Sequence, residues 1–232
     1  MLNYYLNHTM NRIIIFIVST CFLFIFSRCS SDNQVANNEE PTNNEYVKVV
    51  TAENGGLKFE IWSTTAATLR YAYNKIGFKV FENNQEKNSG FVKFFPKMYH
   101  WANSPMHSSP VKSQFDYDNN LQMFTGYVIF TMASDTSAAW YGFYNYNNQL
   151  YLDSATFNVT QFTGQIKIFT DYQAAKDYLV TLIKPYSPQQ GLNTIQFMLH
   201  RTSNDINYEQ VNDAQMFIMP WMETMGHGLL SV

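Results

Sequence analysis

The residues best suited to chemistry are methionines and histidines, and they gather in two places. Met216, Met219, Met222 and Met225 lead into His227 near the end of the chain. Earlier, Met98, His100, Met106 and His107 stand close together. His100, His107, His200 and His227 each lie within two residues of a methionine. Thioether sulfur and neutral imidazole are ligands that soft copper accepts. The spacing therefore defines two candidate metal sites. One is Met219, Met222, Met225 and His227; the other is Met98, His100, Met106 and His107. Pro220 and Pro105 adjoin these clusters and restrict the backbone, and Gly226 and Gly228 flank His227. Methionine is also a flexible core filler beside aromatics such as Tyr99, Trp101 and Trp221. The metal reading thus rests on the joint clustering with histidine, not on any single methionine. Met123 and Met132 lie in strand-like runs and read as core.

Other chemistry is sparse. The chain has no Cys-x-x-Cys, no His-Glu-x-x-His and no glycine-rich phosphate loop. Ser108 and Ser109 follow His107, but sequence neighbours without a third orienting group make no nucleophile–base pair. Asp116 and Asp118 flank a turn and suit turn chemistry. Trp62, Trp101, Tyr141, Tyr144 and Tyr146 could face a glycan or a protein partner, although such residues more often fill a sandwich core. No catalytic constellation emerges, so no enzyme activity is expected. The formal charge is -3 with no basic cluster, which argues against a nucleic-acid partner.

Residues 1–28 read as a lipoprotein signal peptide. Arg12 precedes the apolar run Ile13–Ser27, whose length suits a signal-peptide core better than a membrane span. Cys29 follows, then Ser30, Ser31 and Asp32, which places the lipidated first residue of the mature chain at Cys29. Cys21, after Val18-Ser19-Thr20, offers a second processing point, although cleavage there leaves the apolar Phe22–Phe26 on the mature protein. A single uncleaved anchor helix is the third possibility. With both cysteines accounted for, the mature fold has neither thiol nor disulfide. Methionine and histidine are then the soft ligands available in an oxidising compartment. Residues 29–45 are rich in Asn, Glu and Ser and read as a flexible tether.

Beyond the tether, alternating apolar and polar residues indicate strands. Aromatics at 17% and a charged fraction of 14% support the same reading. Strands are expected at 46–51, 57–62, 69–74, 76–82, 91–95, 113–117, 121–132, 138–146 and 149–160, with turns at 53–56, 83–90, 118–120 and 147–148. Short strands at this spacing predict an all-β antiparallel β-sandwich over 46–162. Asp171–Leu182 is the one segment that reads as a helix, through Ala174, Tyr178, Leu179 and Leu182.

An internal repeat is visible. Tyr73-Asn-Lys-Ile-Gly-Phe-Lys-Val80 is echoed by Leu192-Asn-Thr-Ile-Gln-Phe-Met-Leu199, and each copy leads on to Pro-x-Met, at Pro96–Met98 and Pro220–Met222. Residues 163–232 therefore form a partial second β unit. The Tyr73-Asn74-x-Ile76 run, the loop with Met106-His107-Ser-Ser-Pro110-Val111, the strand Gly126–Met132 with Trp140, and Met219-Pro-Trp-Met222-x-x-Met225-Gly-His227-Gly228 together resemble the YtkA-like family, related to FixH-like proteins. The resemblance covers about 55–146 and 190–228. It implies small immunoglobulin-like domains on envelope proteins associated with copper handling. With Cys29 lipidated, the chain is expected at the bacterial cell envelope, at the outer membrane, trading copper with a metal exporter or an oxidase-assembly protein. A purely structural or protein-interaction sandwich without metal is the alternative.

Overall fold

Strand alternation governs the architecture. The computed structural model describes residues 45–54, 56–64, 68–100, 107–162, 166–185, 188, 190–215, 217, 221–222 and 227–228. The expected signal peptide, Cys29, the tether up to residue 44, Met106, Met219 and Met225 lie outside them. All the elements fall within one compact unit, Glu39–Pro188 with Thr194–Val232.

Every described element is a β-strand. In chain order they are β1 (Val47–Asn54), β2 (Leu57–Ser63), β3 (Leu69–Arg70), β4 (Ala72–Glu82), β5 (Gln85–Lys87), β6 (Phe91–His100), β7 (His107–Ser108), β8 (Phe115–Asp118), β9 (Met123–Phe130), β10 (Ala138–Tyr146), β11 (Gln149–Phe157), β12 (Val159–Thr160), β13 (Ile166–Asp171), β14 (Lys176–Lys184), β15 (Gln196–Thr202), β16 (Tyr208–Gln210), β17 (Trp221–Met222) and β18 (His227–Gly228). The fold is all-β, as expected. The main antiparallel sheet runs β1-β2-β4-β9-β8-β6-β10-β11, with β5 on β4 and β7 on β6. Its end strands β1 and β11 approach one another, so the sheet wraps around one interior in a sandwich-like, nearly barrel-like form.

Alternation fills that interior. In β2, Leu57, Phe59 and Ile61 are buried between the partly exposed Lys58, Glu60 and Trp62. Phe59, Phe78, Phe94 and Tyr144 meet inside, with Tyr144 stacked 5.1 Å from Phe59 and 5.5 Å from Phe94. Gly142 makes room for them. A Cβ there would lie 2.4 Å from the Tyr144 hydroxyl oxygen and 2.8 Å from the Phe94 ring. Asn83-Asn84 and Asn147-Asn148 take left-handed backbone and close two-residue hairpins. Asn74 of the repeat motif is wholly buried. It accepts the Arg70 N–H and donates to the Arg70 and Ala72 carbonyls. Its role is to hold the bend between β3 and β4.

A second antiparallel sheet has four strands in the order β13-β14-β15-β16. Here the expected helix at Asp171–Leu182 is overturned. The segment is a turn at 172–175 followed by β14. The Asp171 carboxylate accepts the N–H groups of Gln173 and Ala174, and Ala175 adopts φ +49. Together these bend the chain into a hairpin. Beyond it Leu179, Thr181 and Ile183 are buried at alternate positions, so a period of two prevails. The two sheets are joined by Tyr127 of β9. Its hydroxyl lies 3.2 Å from His200 Nε2 and donates to Gln210 Oε1 at 3.0 Å.

Candidate metal centre

Met98 and His100 belong to a strand, not to a loop. The expected strand at 91–95 continues through Pro96 to His100 as β6. On one side β6 pairs with β10, setting Met98 opposite Trp140 and His100 opposite Ala138. On the other it pairs with β7, setting Met98 opposite His107. Directly opposed residues of antiparallel strands project to the same face. Trp140, Met98 and His107 therefore form one row across three strands. His100, two residues beyond Met98, joins them on that face.

The row is partly core. Met98 and Trp140 are both 0% exposed. The Trp140 indole N–H donates to the Met132 carbonyl at 3.0 Å, and its ring meets His107 edge to face at 5.3 Å. The His100 and His107 rings lie 6.2 Å apart. Two imidazoles sharing one ion at bond lengths of about 2 Å can have ring centres up to roughly 6 Å apart. The separation thus sits at the outer limit for a shared ion.

His107 carries the most specific geometry. Its Nδ1 lies 3.2 Å from the Ser108 carbonyl oxygen. Its Nε2 is buried and has no hydrogen-bond partner among the described residues. An Nδ1–H donated to a backbone carbonyl fixes the tautomer that leaves Nε2 as a free lone pair, an arrangement metal-binding histidines share. Burial lowers the His107 pKa, assisted by the neighbouring His100; the Ser108 carbonyl and Asp205 oppose the shift. Burial thus favours the neutral ring. The donor set fits a soft ion in type. Histidine, cysteine, aspartate and glutamate nowhere gather in threes among the described residues, so such an ion depends on thioether sulfur.

His107 also lines a cleft of about 390 Å³ together with Met132, Ile168, Asp177, Asp205 and Tyr208. Burial, and then the Asp205 and Asp177 charges, push the Tyr208 pKa up. Met132, expected in the core, is 39% exposed and opens into this cleft, whereas Met123 is core at 2%. Asp205 reaches the region because its carbonyl accepts the Ser108 N–H at 2.8 Å. Nothing in the polar run Ser203–Asn207 signalled that placement.

At the second cluster, β17 and β18 pair so that Met222 stands opposite His227 and Trp221 opposite Gly228. Both clusters therefore place a methionine and a histidine as cross-strand partners, Met98 with His107 and Met222 with His227. Met106, Met219 and Met225 lie outside the described residues. No protein-family model, no curated protein and no solved structure matches this chain.

Proposed function

We propose that the chain is a lipid-anchored protein of the bacterial envelope that binds and relays a soft metal ion, copper(I), through paired methionine and histidine side chains. The observation that carries this reading is His107, whose Nε2 is buried without a partner among the described residues while its Nδ1 faces a carbonyl, directly across the strand pair from Met98. Met98 and His107 form the core of the first site, with His100 beside them and Met106 on the adjoining segment. Met222 and His227, with Met219 and Met225, form the second. A thioether and one or two imidazoles hold copper(I) as neutral ligands and release it readily, which suits transfer to a metal exporter or an oxidase-assembly protein. Anchoring through Cys29 would keep the relay at the membrane, in the outer-membrane setting expected of such lipoproteins.

Copper(I) titration of the purified protein against a competing chelator tests it. His107→Phe keeps a ring against Trp140 and removes both nitrogens; affinity at the first site should fall by at least about tenfold. Met222→Leu with His227→Phe should remove the second site independently. Unchanged stoichiometry and affinity in both variants would sink the copper reading. One observation favours the metal-free interaction module instead: Met98 is wholly enclosed by the main core. That module predicts no copper binding above background in the unaltered protein.

A further inference from the structure

β13 ends the second sheet, and no described residue pairs with its outer edge. Its residues are Ile166, Lys167, Ile168, Phe169, Thr170 and Asp171. Pairing with β14 sorts them by face. Ile166 and Ile168 stand opposite Thr181 and Leu179, which are buried, whereas Lys167, Phe169 and Asp171 stand opposite Val180, Tyr178 and Lys176 on the other face. Phe169 is 50% exposed and stacks on Tyr178 at 5.2 Å with the rings 6° from parallel. The strand has no proline and no bulge, two of the usual guards on a free edge. Its one guard is the exposed charge of Lys167.

That charge selects a partner rather than merely repelling one. We propose that β13 is a self-pairing edge, joining a second copy of this chain antiparallel about a twofold axis through Phe169. Such an axis, perpendicular to the sheet, keeps the faces matched only if it passes through a residue paired with itself, because alternate residues point to opposite faces. Centred on Phe169, the register sets Phe169 against the partner's Phe169 and Ile168 against the partner's Thr170. It also sets Lys167 against the partner's Asp171, and symmetry repeats that opposite-charge pair. Tyr178 and Phe169 then continue into the partner's Phe169 and the partner's Tyr178 as a ladder of four rings across the joined sheets. Centring on Ile168 instead would place Lys167 against the partner's Phe169 and forfeit both charge pairs. A strand of another protein meets Lys167 with no such built-in acid, so the edge discriminates for its own kind. This pairing does not depend on metal.

Sedimentation equilibrium of the full chain in detergent, over a wide concentration range, reads the association. A dimer is expected, and Lys167→Asp, which sets two acids face to face, should weaken it by about tenfold or more. A second measurement does not depend on that variant folding. In a chain with Cys21→Ser and Cys29→Ser, Phe169→Cys should cross-link to itself under diamide, two thiols giving one disulfide as the oxidant is reduced. Ile168→Cys should cross-link far less. A monomer at every concentration, a dimer indifferent to Lys167→Asp, or equal cross-linking at both positions would overturn the proposal.

Discussion

His107 and His200 show how differently two imidazoles can be used within one fold. His107 lines the cleft with one nitrogen against a carbonyl and the other unpartnered among the described residues. His200 is 2% exposed and held between the sheets by Tyr127. Burial lowers its pKa from 6.5 to about 4. The sign follows from proton counting. Between these values the unfolded chain binds the proton and the folded chain does not, so stability rises with pH. It is complete above about pH 6.5 and declines as the pH falls toward 4, by on the order of 2–3 kcal/mol from this residue. Urea midpoints measured across that range should show the slope, and His200→Phe should flatten it. Tyr127→Phe leaves His200 Nε2 without its partner and should cost about 1–3 kcal/mol at pH 7, read by the same denaturation. The methionine–histidine clustering was legible in the sequence because the residue types are rare and adjacent. The Tyr127–His200 contact was not, since it joins residues on different sheets and far apart in the chain.

The strands were legible where period-two alternation is strict. β2 and β10 fall close to their expected ranges because Leu57, Phe59 and Ile61, or Trp140 and Tyr144, mark a single buried face. The strand expected to end at residue 95 runs on to His100, because β10 and β7 pair on either side of β6. The segment from Asp171 misled because Ala174 in the turn and Tyr178, Leu179 and Leu182 in β14 happen to fall at helical spacing, while the Asp171 side chain in fact closes a hairpin. Asp171→Ala should loosen that hairpin by about 1 kcal/mol, visible as faster amide exchange in β13 and β14. At the centre of β9, Gly126 has the Phe115 ring 2.5 Å from where a Cβ would stand. Gly126→Ala should therefore destabilise by about 1–3 kcal/mol through overpacking, measurable by thermal unfolding.

For the molecule as a whole, the interior explains stability better than the surface charges do. Trp140, Tyr144, Phe78, Phe94 and Phe124 are all nearly free of solvent, whereas ion pairs such as Arg201–Glu209 stand in water. Trp140→Ala should cost about 3–5 kcal/mol, and chemical denaturation should show it. Salt should change the midpoint little, because exposed pairs contribute little. The all-β class was plain from composition and alternation; the strand order was not, because alternation states which face a residue takes and not which neighbour it meets. That order has a consequence in time. Hairpins such as β1–β2 and β10–β11 join near neighbours in the chain, yet β4 must find β9 and β6 must find β10 across long intervening stretches. Closing such loops before any reward arrives slows folding, to about milliseconds or seconds for topologies of this kind. A newly made chain would spend that interval with its aromatic residues in water, and the rate at which indole fluorescence shifts after a denaturant jump would time it.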